Sequence, residues 1–144
     1  MQSMTIEPYL YFNGRCEEAL AFYSKAVGAE IQGVMRFSES PEPMPAGMLK
    51  PGWENKVMHS SFLLRGAIIM ASDGCGSEGG FAGFALSFSV QTEAEADTVF
   101  SGLVEGGTVV MPLSRTFWSP RFGMLTDKFG VSWMVMVNPG PGKC

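Results

Sequence analysis

The sequence predicts an α+β protein built from two βαβββ modules whose curved mixed sheets surround a cleft, and three observations carry that expectation. The first is an internal repeat: Ala19, Tyr23, Ser24 and Val27 return in the second half as Ala96, Phe100, Ser101 and Val104, the self-similarity that marks a duplicated unit. The second is that each copy reads as one strand, one short amphipathic helix and three further strand-like runs. The third is coverage, because two short helices cannot hide both faces of eight strands. One face of the curved sheet is left to line a cleft or to meet a partner.

The elements follow in order. Thr5 to Phe12 is rich in aromatic and branched residues and reads as a strand that stops at the turn pair Asn13-Gly14. From Cys16 the apolar positions 16, 19, 20, 23, 26 and 27 have helical spacing, with Asn13 as the expected cap and Gly28 as the stop. Ile31 to Phe37, Lys56 to Leu64 and Ala67 to Ser72 complete the first copy, the last two joined tightly at Arg65-Gly66. In the second copy, Phe84, Leu86, Phe88 and Val90 alternate as in a half-buried strand. Thr92-Glu93-Ala94-Glu95 has the form of a capping box, apolar positions 96, 99, 100, 103 and 104 continue the helix, and Gly106-Gly107 ends it. Thr108 to Leu113, Phe117 to Thr126 and Val131 to Val137 then read as strands, the last two joined through Asp127-Lys128-Phe129-Gly130. A single domain over residues 1–144 is expected, with module one at 4–73 and module two at 81–138.

Composition narrows the function. The chain has 144 residues and a net charge of −4, and no two Lys or Arg residues adjoin, so the basic footprint of a nucleic-acid binder is missing. Its first residues lack a basic and apolar signal and no apolar run is long enough to span a bilayer, which predicts a soluble, cytoplasmic protein. The three cysteines, Cys16, Cys75 and Cys144, have neither disulfide nor zinc-site spacing, and Cys16 falls on the apolar face of the first helix.

Several segments together carry a resemblance. Pro8 to Gly14 with Glu17-Glu18-Ala19, Phe22 to Glu30, Met58-His59, Met70 to Asp73, and Arg121-Phe122-Gly123 through Asp127 to Met134 resemble the PhnB-like family. That family lies within the vicinal oxygen chelate superfamily, which includes glyoxalase I, bleomycin-resistance proteins and extradiol dioxygenases. The resemblance implies the glyoxalase/bleomycin resistance-like fold, a homodimer, and a divalent metal held by His, Glu or Gln from the first and last strand of each module. Those positions map near Glu7 or Pro8, Met70 or Ser72, Ala85 or Ser87, and Met134. Only Glu7 is a suitable donor, so the expectation is a dismantled metal site and no cofactor. A methyltransferase label attached to some members finds no support in these residues, because no Gly-rich strand-to-helix segment suited to S-adenosylmethionine is present.

Candidate site residues are weighed against ordinary structure. His59, the only histidine, alternates with Val57, Ser61 and Leu63; it is either a hydrogen-bonded structural residue or, with Glu7, an acid or base, since imidazole titrates near neutrality. Asp73 either contacts ligand or stabilises the turn that opens the Gly-rich stretch 73–80, which reads as an inter-module linker. Tyr9 and Tyr11 lie on the first strand. Phe117, Trp118, Arg121, Phe122 and Trp133 cluster around the final hairpin, a mixture suited to a planar or anionic small molecule or, equally, to core packing. The eleven methionines offer an adaptable apolar lining or core filler. The long irregular stretch from Ser38 to Asn55 holds Met44, Met48 and Trp53, and reads as a flap, an arm gripping a second subunit, or a mobile insertion. Two functions remain open: a non-catalytic small-molecule binder, or a lyase, isomerase or dioxygenase-like enzyme with an altered metal site or a His59-based mechanism.

Overall fold

A computed structural model of the chain describes residues 4–42, 47–74 and 80–138. Met44, Cys75 and Cys144 lie outside the described residues. Two compact units divide between Gly80 and Phe81. The first unit contains β1 (Tyr9–Tyr11), α1 (Cys16–Val27), β2 (Glu30–Arg36), β3 (Val57–Leu64) and β4 (Ala67–Ser72). The second contains β5 (Leu86–Val90), α2 (Glu93–Val104), β6 (Thr108–Ser114), β7 (Phe122–Thr126) and β8 (Ser132–Val137). Sheet orders β1-β4-β3-β2 and β5-β8-β7-β6 are the same topology twice. In each, the first strand runs parallel to the last and the other pairs are antiparallel. The βαβββ plan expected from the repeat is the plan observed.

Each helix covers one face of its own sheet. On α1 the buried residues Cys16, Ala19, Leu20 and Tyr23 lie one turn apart, and the Tyr23 ring stacks on Phe62 at 5.8 Å. On α2 the equivalents are Ala96, Val99, Phe100 and Leu103. Phe100 lies so close to β7 that a Cβ at Gly123 would sit 2.9 Å from its ring. Only a glycine admits that approach.

The two helix starts are capped differently. Thr92 and Glu95 form the expected capping box, each side chain accepting the other's backbone N–H at 3.1 Å. Asn13 does not cap α1: it occupies the left-handed region at φ 53° in the turn, and Arg15 at the cap position makes no side-chain cap bond. The cap comes instead from Asp73, beyond the end of β4. Its Oδ1 accepts from Gly14 N and Cys16 N at 2.8 Å each, and its Oδ2 accepts from Val57 N at 2.9 Å. One buried carboxylate thus ties the starts of α1 and β3 to the end of β4. Sequence spacing cannot reveal a cap delivered from so far along the chain. At the other end, Gly28 takes φ 73° and closes α1 as expected.

Three strands are shorter than the sequence suggests by more than one residue. The ladder of β1 begins at Tyr9, with Pro8 accepting from Met70 N at 3.0 Å and Phe12 donating to Ser72 O at 2.8 Å; Thr5 to Glu7 stay outside it. β5 begins at Leu86 rather than Phe84. Phe117 to Arg121 is a turn, not strand, because Ser119 Oγ donates within a knot that includes the Arg121 and Val137 carbonyls. The aromatic content of that stretch mimics strand propensity.

Two electrostatic details follow from the packing. Arg36 at the end of β2 grips Glu17 of α1 with two bonds of 3.1 and 2.7 Å, and that hydrogen-bonded guanidinium lowers the Glu17 carboxyl below its ordinary range. This tie is present above the ordinary carboxylate range and is lost as pH falls through the lowered one. Burial pushes the Cys16 thiol up to about 12, against a weaker opposing hydrogen bond with Ser60.

Asp73→Ala strands three backbone donors, two of them buried, and is expected to destabilise the protein by about 3–5 kcal/mol in urea or guanidinium titrations, with Asp73→Asn less severe because one acceptor survives. Cys16 is expected to resist alkylation at pH 8 in the native protein and to react on unfolding; peptide mapping after iodoacetamide treatment checks this, and rapid native labelling contradicts it.

Candidate functional site

The helix-free face of the first sheet follows from register. Tyr9 pairs with Met70, Met70 with Ser61 and Ser61 with Gly33, making one row across all four strands. Tyr11 pairs with Ser72 in the next row, and Met35 pairs with His59. Tyr9 Oη and His59 Nδ1 are 3.2 Å apart, a hydrogen bond whose direction depends on the imidazole tautomer. The Tyr9 ring also lies 5.7 Å from His59 and 5.0 Å from Tyr11. His59 is exposed and Tyr11 is 59% exposed. Glu7, half-buried, stands two residues before Tyr9. Three of the expected residues therefore share one face, with Glu7 on the segment leading into it.

The same position in the second sheet has different chemistry. Ser87 pairs with Met134, Met134 with Met124 and Met124 with Met111, a row of three thioethers on three adjacent strands. The next row holds Ser89, Met136, Phe122 and Ser114, and Ser87 Oγ donates to Met136 Sδ at 3.8 Å. Phe122 meets Trp118 edge-on at 5.2 Å, and Trp118 meets Phe117 at 4.7 Å. Phe117 is 93% exposed. No strand of this sheet contains an Asp, Glu, Lys, Arg or His residue.

Other expected ligand-contacting residues are placed elsewhere. Trp133 is a core residue, paired with Leu125 and close to Phe88, and its indole N–H donates to Asp127 Oδ2 at 2.9 Å. Asp127 is itself buried and accepts from Phe129 N and Val131 N, so this acid shapes the β7–β8 connection. Arg121 turns toward α2, where Nε donates to Asp97 at 2.7 Å. Asp73 is buried and spends its oxygens on backbone. Trp53 is buried with its six-membered ring beside Gly14, which anchors the later part of the 38–55 loop onto the β1–α1 turn. Ser38 N donates to Glu54 O and Phe37 N to Lys56 O, so the ends of that loop run back beside each other.

A second, polar hollow of about 260 Å³ lies in the first unit, lined by Gly14, Glu17, Arg36, Asn55, Lys56 and Asp73 among others. Its charges are engaged internally, Arg36 by Glu17 and Asn55 O, and Lys56 by Gly14 O at 3.0 Å. Among the described residues no three His, Cys, Asp or Glu side chains are grouped so as to hold a metal ion, and no helix is long and apolar enough to cross a membrane.

Sequence alone offers the eleven methionines as an adaptable lining or core filler without saying which of them meet; register brings Met111, Met124 and Met134 into one row. The alternation of Met134 and Met136 in β8 was a usable signal; the pairing with Met124 and Met111 depends on register, which the sequence does not state.

The fold has counterparts among known proteins. The chain is 36% identical over 142 residues to protein YjdN of Escherichia coli K12, covering 93% of this chain and 95% of that protein. The crystal structure of PA1353 from Pseudomonas aeruginosa is 40% identical, with coverage of 94% and 98% and a TM-score of 0.83. The PhnB protein of Bacillus cereus, described as a 3-demethylubiquinone-9 3-methyltransferase, is 34% identical, with coverage of 93% and 99% and a TM-score of 0.75. At 15% and 16% identity, a glyoxylase/bleomycin resistance/dioxygenase domain from Frankia and the fosfomycin resistance protein FosX of Listeria monocytogenes share the fold, with TM-scores of 0.65 and 0.62. The chain has the glyoxalase/bleomycin resistance-like fold, and with residues 4–136 matching the family described as 3-demethylubiquinone-9 3-methyltransferase it belongs to that PhnB-like family.

Proposed function

We propose that the chain is a small-molecule binding protein that receives its ligand on a helix-free sheet face, without the divalent metal that this fold's chelate chemistry employs. The observation that carries the reading is the second sheet, whose four strands hold no ionisable side chain. FosX, a distant fold relative, has been solved with Mn(II). Such an ion takes several carboxylate or imidazole donors, whereas this face offers thioethers and hydroxyls. In the first unit the described donors of the right type on or beside the helix-free face are Glu7, His59 and, through its pairing with Leu63, Glu30, and they are not grouped as an ion requires. The residues do not fit a hard divalent ion, and no step is assigned to one. What the faces do offer is apolar area with a few hydroxyl and phenol groups, the usual make-up of an organic ligand site.

A second reading, an enzyme using proton transfer, is favoured by the Tyr9–His59 hydrogen bond. It places a phenol and an imidazole together on the open face of one sheet, with Glu7 as a nearby carboxylate. The assembly reading is a homodimer. It draws support from the edge strands β2 and β6, where Ile31, Val34, Val109 and Val110 are all at least 40% exposed.

Elemental analysis of purified protein before and after chelator treatment is expected to show no stoichiometric divalent metal; one tightly held Ni, Zn, Fe or Mn per chain overturns the metal-free reading. Native mass spectrometry is expected to show a retained organic ligand. For the enzymatic reading, His59→Ala is expected to lower turnover of a superfamily substrate by about 100-fold or more, and unchanged turnover excludes His59 as the catalyst. Sedimentation at micromolar concentration is expected to show a dimer, and a stable monomer removes that part of the reading.

A further inference from the structure

We infer that the helix-free face of the second sheet takes an uncharged, flat aromatic ring system. This rests on the ligand-binding reading above and names the class of its ligand. The first argument is charge. All four strands lack ionisable residues, and a charged group pressed onto such a face loses hydration without gaining a counter-charge. Arg121, the cation nearest in sequence to the aromatic ladder, is held by Asp97 of α2, so it does not offer an anion the missing partner.

The second argument is shape and polarizability. Met111, Met124 and Met134 occupy one row on three adjacent strands, spanning about 10 Å at the usual strand spacing, comparable to a fused two-ring system. Thioether sulfur favours contact with aromatic rings, and the flexible methionine side chain adapts to a flat surface. Phe122, Trp118 and Phe117 continue this face as successive edge-on rings, which gives a bound ring an aromatic wall. The third argument is polarity. Ser87 and Ser89 of β5 are exposed at the end of these rows and supply hydroxyls that can meet a phenol or carbonyl on the ring.

Naphthol and naphthoate test the inference on the full chain, with isotope-labelled methionine methyl groups observed by NMR. Saturable ring-current shifts are expected for naphthol, largest at Met124 and Met134, and naphthoate is expected to bind about tenfold or more weakly. The double variant Met124→Leu/Met134→Leu keeps apolar volume and is expected to weaken naphthol about threefold or more through loss of the two sulfurs, with its amide spectrum reporting that the fold is kept. Equal binding of naphthoate, shifts centred on Met35, Met58 or Met70, or undiminished binding by the leucine variant each overturn the assignment. If naphthol fails to bind while native mass spectrometry still finds a retained ligand, the aromatic class is wrong and the binding reading stands. If neither binds and no ligand is retained, both fall.

Discussion

One helix can cover one face of a sheet, and each half of this protein has a single helix. Twelve residues of α-helix form a cylinder about 18 Å long and 10 Å across, while four strands span about 14 Å between their outer axes. The match is close for one face and leaves nothing for the other. Tyr23 and Phe62, or Phe100 and Gly123, therefore define a covered side. The residues of opposite alternation, from Tyr9 and Met70 in one unit to Met124 and Met134 in the other, define the open one.

The covered side is secured by polar groups as much as by apolar contact. Asp73 caps α1 from the end of β4, Glu17 of α1 holds Arg36 of β2, and Asp97 of α2 holds Arg121 ahead of β7. Each is a tie between a helix and its sheet. Asp73 differs from the two surface pairs because it is buried and meets backbone donors, so its loss leaves donors without water or partner. The exposed pairs are screened and weaker individually. The second helix has no need of an imported cap, since Thr92 and Glu95 complete one within its own first turn. Duplicated architecture has thus been stabilised by different chemistry in the two copies.

The open sides differ further. The first carries a hydrogen-bonded tyrosine–histidine pair; the second is a surface of sulfur, hydroxyl and aromatic groups. The likeness to FosX, at 16% identity, speaks for the fold alone. The family description names a methyltransferase, while the residues that would recognise S-adenosylmethionine in a strand-to-helix glycine loop have no counterpart in either unit. The chemistry of the faces, rather than the name of the family, is what limits the possible ligands.

Much of the architecture was legible because it is local. The spacing of Cys16, Ala19, Leu20 and Tyr23 identifies a helix, Thr92 with Glu95 identifies its successor's start, and Gly28 and Arg65-Gly66 mark a helix stop and a hairpin turn that take the left-handed conformations such residues tolerate. Boundaries failed where composition imitated a strand, as at Phe117 to Arg121. Partners were not legible where a polar residue had two possible destinations. Arg121 and Trp133 suit a ligand by chemistry, and in the fold Asp97 and Asp127 accept their N–H bonds. The sequence by itself determined the repeated βαβββ order, the helices and the alternating faces, because periodicity and turn preference act over a few residues. Tertiary structure alone decided which side chains stand together, from the Asp73 cap to the Met111–Met124–Met134 row, because cross-strand register and long-range hydrogen bonds join residues whose separation along the chain carries no local signal.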